Sequence, residues 1–100
     1  MLEEVKKSLR ITDSDFDDEV SLLIEAAKED LKSSGVASSY FIKKDENTQE
    51  EIEEIDNKLL KLAVILYCKA FFGFDNSESE KYSNAYEHIK KKVSITLKGE

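Results

Sequence analysis

The residues best suited to chemistry in this chain gather in a few places. Asp13-Ser14-Asp15-Phe16-Asp17 spaces its oxygen donors as the opening of a calcium loop does. Such a loop then needs Gly at its sixth position and Glu at its twelfth, where this chain has Asp18 and Ile24. The cluster therefore reads as helix capping. Cys68 and His88 are the one thiol and the one imidazole, enough in principle for a nucleophile and its base. Cys68 lies among Leu66, Tyr67 and Ala70, surroundings that suit an inert buried thiol. His88 has Glu87 beside it, but no second nitrogen or sulfur ligand at a metal-binding spacing. Glu50, Glu51, Glu53, Glu54 and Asp56 are too many and too consecutive to be a paired acid and base, and read as a solvated helix start. Gly35, Gly73 and Gly99 are too scattered to cradle a phosphate. No catalytic residue, cofactor site or metal site is assigned.

Composition narrows the classes further. The 100 residues and 11.4 kDa make a single domain over 1–100. Apolar residues are 40% and charged residues 37%, as a polar-coated globule requires, while a net charge of −7 disfavours general binding to a phosphate backbone. A lone cysteine excludes an internal disulfide and a cysteine-rich zinc site. The opening Met-Leu-Glu-Glu-Val lacks the basic and apolar regions of a secretory signal. The longest apolar tract, Leu59 to Phe74, is broken by Lys61 and Lys69 and falls short of the ~20 residues a bilayer span takes. A soluble, reducing compartment without a membrane partner is the expectation. No proline and three glycines favour long helices.

The hydrophobic spacing predicts an all-α fold, a small bundle of about four helices with a variable loop between the second and third. Leu2, Val5 and Leu9 mark a first helix over Leu2 to Arg10, with Ile11 packing in the turn after it. Thr12-Asp13-Ser14-Asp15 supplies N-cap residues for a second helix over Asp13 to Ser33. Asp17, Asp18 and Glu19 favour its first turns through the dipole, Phe16, Val20, Leu23, Ile24, Ala27 and Leu31 form its stripe, and Gly35 ends it. Val36 to Asn47 reads as loop, with a short extended piece around Tyr40 to Ile42. Thr48-Gln49-Glu50-Glu51 matches a capping box, so the third helix is expected from Thr48 to near Gly73. Its core stripe is Ile52, Ile55, Leu59, Leu62, Ala63, Leu66 and Ala70, with a second apolar face of Leu60, Val64, Tyr67 and Phe71. Phe74 to Ser77 is a turn, and Ser77 caps a fourth helix with Tyr82, Ala85, Tyr86, Ile89 and Val93 buried. That helix is expected to end near Val93, with an extended tail after it.

Surplus apolar surface and uneven charge point to assembly. Lys58, Lys61, Ile65, Cys68, Lys69 and Phe72 form a third face of the third helix, off both core stripes, and Tyr40, Phe41 and Phe74 add loop aromatics. Through Asp56 the chain has 17 acids and 7 bases, net −10, and from Asn57 onward 5 acids and 8 bases, net +3. A heterologous contact needs two different, complementary surfaces. The expected pair is Lys58, Lys61, Ile65, Lys69 and Phe72 on one copy against Asp15, Asp17, Asp18, Glu25 and Glu29 on the next.

The opening Met1 to Ile11, the acids Asp13, Asp15, Asp17 and Asp18, the amphipathic run Val20 to Leu31, the variable loop, the apolar run Leu59 to Tyr67 and the stretch Asn76 to Tyr86 follow in order. This layout resembles the head–tail connector proteins of tailed bacteriophages, also called adaptor or DNA-packaging proteins, many of them carried by prophages. The resemblance implies an all-α structural protein of the virion, made in the host cytoplasm, with no cofactor. It implies a homo-oligomeric ring of about a dozen copies that sits under the portal protein and meets a stopper or tail-completion protein. DNA would pass through without specific binding, as an acidic channel favours. The alternative is a small helical regulatory or nucleic-acid-associated module reading DNA through Lys90-Lys91-Lys92, although lysines at a helix C-terminus also complement the dipole.

Overall fold

In the computed structural model, which describes residues 1–72 and 78–99, the helical bundle is present and a short β-hairpin is added to it. The elements are α1 (Leu2–Leu9), α2 (Asp17–Ser33), a 3-10 turn (Ser38–Phe41), β1 (Ile42–Lys44), β2 (Glu51–Glu53), α3 (Lys58–Phe71) and α4 (Ser79–Thr96). Gly73, the turn expected at Phe74 to Ser77, the Ser77 cap and Glu100 lie outside the described residues.

α1 and α2 stop in the same way. Gly35 follows α2 with φ +114°, its N–H donates to the Lys32 carbonyl (3.0 Å), and Val36 N–H donates to the Leu31 carbonyl (3.2 Å). Leu31 and Val36 are both buried, which completes a Schellman end with its apolar contact. At α1, Arg10 takes the left-handed position (φ 61°), while Ile11 N–H reaches the Lys6 carbonyl at 2.9 Å. Ile11 then packs against the core, as its sequence position suggests.

α3 is the central helix, packed on α4, α2 and α1. Leu60, Ala63, Val64 and Cys68 of α3 meet Val5, Val20, Ile24, Ala27, Leu31, Tyr86 and Val93 in one core, which Phe41 and Ile55 close from the loop side.

Two helix starts differ from expectation. The Thr12 to Asp15 cluster caps nothing: Asp13 Oδ1 accepts from Asp15 N–H (3.0 Å) in a local turn, and α2 begins only at Asp17 with Phe16 at its N-cap. The larger correction is that α3 begins at Lys58, and Thr48 to Asp56 is not helix. Asp45 Oδ1 accepts from Asn47 N–H (2.9 Å), Thr48 Oγ1 accepts from Glu50 N–H (3.3 Å), and Gln49 turns at φ 62°. These bonds reverse the chain, and β2 runs back along β1 with Ile42 opposite Glu53, Lys43 opposite Ile52 and Lys44 opposite Glu51. A helix here would stack Glu50, Glu51, Glu53 and Glu54 at repelling three- and four-residue steps. The extended form instead brings Glu54 and Asp56 to Lys43 (both 3.5 Å) and Glu53 to Lys28 (3.2 Å).

The cap of α3 is Asn57, whose Oδ1 accepts from Leu60 N–H at 3.1 Å. Asn57→Ala is expected to lower stability by about 1 kcal/mol, read by urea denaturation, whereas Thr48→Ala should change it by less than ~0.5 kcal/mol.

The C-terminus differs in a smaller way. α4 runs on to Thr96, because Val93 and Leu97 sit four residues apart and are both buried. The extended tail begins only after it. Ala37 N–H donates to the Leu97 carbonyl (2.9 Å), Gly99 N–H to the Gly35 carbonyl (3.0 Å), and Val36 bridges Lys98.

Candidate functional site

The groups weighed for chemistry stay apart or stay inert. Cys68 is fully buried on α3, and burial pushes its thiol up to about 12, so it is protonated at neutral pH. His88 stands exposed on α4. Among the described residues no three His, Cys, Asp or Glu side chains are grouped to hold a metal ion.

Charged groups mainly tie elements together. Lys28 is almost wholly buried, and its Nζ is held by Glu25 (3.1 Å) and Glu53 (3.2 Å), which fastens β2 to α2. Burial works against its charge, but the two carboxylates win and hold the ammonium above its ordinary value. Lys6 Nζ lies 2.7 Å from Asp17 Oδ1 and joins α1 to α2. Between α2 and α4, Asp30 accepts from Tyr86 Oη (2.5 Å) and from Lys90 Nζ (3.1 Å), and Lys90 also meets Glu87 at 2.9 Å. Burial pushes the Asp30 carboxyl up, yet the Tyr86 and Lys90 hydrogen bonds hold it below the usual carboxylate value. A depressed value means its contribution is present above the unfolded pKa and is lost as pH falls through the folded one. Asp30→Asn is therefore expected to cost about 1–2 kcal/mol at pH 7, at the modest end because the carboxylate is partly exposed. Denaturation curves across pH should show that gap shrinking below about pH 4. Lys90 is thereby committed within the chain, leaving Lys91 and Lys92 as the outward pair of the basic stretch.

The surplus apolar surface is arranged differently from expectation. Ile65 and Phe72 do not stand off the core. Both are half-buried and pack against it, and Phe72 meets the Phe16 ring edge-on at 5.6 Å. Phe41 is 2% exposed and belongs to the core rather than to a loop surface. Leu62, placed in the core stripe by its spacing, is 41% exposed, and Phe71, placed on the second apolar face, is 53% exposed. Ile52 also faces outward on β2. Lys58 and Leu62 are therefore the exposed members of the outward row of α3, which continues to the half-buried Lys69, with Ile65 and Phe72, also half-buried, at its margin. Lys61 at its edge reaches Glu4 of α1 (3.1 Å), and Lys69 Nζ lies 5.1 Å from the Tyr82 ring.

The acidic side keeps Asp15 and Asp18 exposed. Asp17 is engaged by Lys6, Glu25 by Lys28, and Glu29 stands 4.0 Å from Lys32. The exposed acids Asp15 and Asp18 and the lysine row of α3 thus lie on different parts of one helical chain, with Leu62 the exposed apolar residue of that row and no metal-binding cluster among the described residues. The family model described as phage connector protein matches residues 1–100, the whole chain.

The chain belongs to the phage connector protein family.

No curated protein and no solved structure matches it. The connector family is a structural family of the phage particle, and a structural connector role is the function its membership supports. No helix among the described residues is long and apolar enough to cross a membrane. The outward positions Leu62 and Phe71 were hidden in the sequence because α3 is apolar almost all round. The sequence signal available for α3 was Asn57, a capping residue directly after the five acids, which places the helix start at Lys58 and leaves Leu59 to Phe72 to be divided between core and surface.

Proposed function

We propose that this connector is one subunit of a closed ring of about a dozen copies, docked beneath the portal, extending the DNA channel toward the tail. The carrying observation is the whole-length family match. The separation of exposed basic and acidic surfaces on one subunit supports a head-to-tail contact. In this contact the α3 row of Lys58, Leu62 and Lys69, with Lys61, Ile65 and Phe72 beside it, meets the neighbour's acidic N-terminal half. Asp15 and Asp18 present the free carboxylates there, flanked by Asp17, Glu25 and Glu29. Apolar contact supplies most of the energy, and the charges set register and orientation. The net charge of −7 keeps a channel wall from gripping DNA phosphates.

A phage lacking this chain tests the reading. Filled heads that cannot join otherwise normal tails are the expected product, visible by electron microscopy. Complete infectious particles from the same deletion would overturn it.

A further inference from the structure

Among the described residues neither outer edge of the hairpin β1–β2 pairs with a further strand, and the two edges carry opposite charge. Asp45 N–H donates to the Glu50 carbonyl (2.9 Å), and Glu54 N–H donates to the Phe41 carbonyl (3.1 Å). These bonds bracket the register and, by the alternation of an antiparallel ladder, make Lys43 and Ile52 the bonded pair between them. The N–H and C=O groups of Ile42 and Lys44 therefore point outward from β1, and those of Glu51 and Glu53 outward from β2. All six strand residues are exposed. β1 reads Ile-Lys-Lys and β2 reads Glu-Ile-Glu.

We propose that the outer edge of β1 on one copy pairs antiparallel with the outer edge of β2 on the next, so that hairpins join into one continuous sheet across subunits. The inference rests on the ring reading and names a second contact within it.

Four arguments select a second copy as the occupant. An exposed edge offers ready-made hydrogen bonds to another strand, and lysines on it are a common guard against indiscriminate pairing. Here the guard is directional. Pairing β1 with β1 sets lysine beside lysine, and pairing β2 with β2 sets glutamate beside glutamate. Only β1 against β2 joins unlike charges, and in the unshifted register Lys44 of one copy lies beside Glu51 of the next. Repetition of one antiparallel hairpin keeps every junction antiparallel, as cyclic symmetry requires. The base is also held in place, because the buried Lys28 fastens Glu53 to α2. Finally, two strands per copy at about 4.8 Å each give a dozen copies a perimeter of about 115 Å and a diameter of about 37 Å, more if the strands tilt. That opening passes a DNA duplex.

The test uses the full chain with Lys44→Cys in one preparation and Glu51→Cys in another, Cys68 remaining buried in both. Each preparation, and their equal mixture, is brought to high concentration, its mass is read by sedimentation, and it is then mildly oxidised. The mixture is expected to give about tenfold more disulfide-linked dimer than either variant alone, because only unlike edges meet. Assembled material whose mixture cross-links no better than the single variants overturns the edge pairing and leaves the ring standing. A chain that stays monomeric at every concentration, with no cross-link in the mixture, overturns both.

Discussion

Phe41→Ala should lower the stability of the subunit by about 3–5 kcal/mol, the largest effect expected from any loop substitution in this chain. Phe41 is the last residue of the 3-10 turn, and its ring is buried beside α2, with Lys32 Nζ 5.2 Å from the ring centroid. Its carbonyl accepts from Glu54 N–H, so the same residue holds the ring in the core and starts the hairpin ladder. Truncation removes the apolar contacts and leaves a cavity that the short turn cannot close. A small domain has only about 5–15 kcal/mol to lose, so the variant should be partly unfolded near body temperature. Phe71→Ala, at an exposed ring of the same type, should cost about 1 kcal/mol or less, mostly its contact with Tyr67 at 4.6 Å. Urea denaturation of the pair checks both. Equal losses at Phe41 and Phe71 would contradict the burial assigned to each.

The contrast between these rings shows where sequence reasoning stops. Sparse features with a strong conformational demand were readable. Gly35 ends α2 because a left-handed residue is needed there, and the stripe Val20, Ile24, Ala27, Leu31 meets the core as its spacing requires. Thr48 to Glu51 misled because the same short polar residues serve helix caps and reverse turns. The decision between them came from charge, since Glu53 meets Lys28, and Glu54 and Asp56 meet Lys43, with the chain running extended. α3 misled for the opposite reason. A helix apolar on most of its circumference has no single stripe, and only the positions of α1, α2 and α4 decide that Leu60 faces inward and Leu62 outward. The outward face of α3 was therefore legible at Lys58 and not at Leu62.

Leu62→Asp is the substitution expected to damage assembly most. It sits between Lys58 and Lys69 at helical steps on the outward row, and the proposed neighbour is acidic there. The change removes apolar contact and adds a like charge, which together should weaken subunit association by roughly 100-fold. Because Leu62 is already 41% exposed, the isolated subunit should keep its fold, with a stability change of about 1 kcal/mol or less. Sedimentation against concentration reads the first quantity, and thermal unfolding of the monomer reads the second. Undiminished assembly by Leu62→Asp would remove the α3 row from the interface.

The ring itself is most directly tested by reconstructing the head–tail junction of particles that carry this chain. The expected density is a closed ring of about a dozen copies directly beneath the portal, each α3 row facing its neighbour's acidic half around an open channel. Copies absent from that vertex, or spread over the shell of the head, would contradict the account.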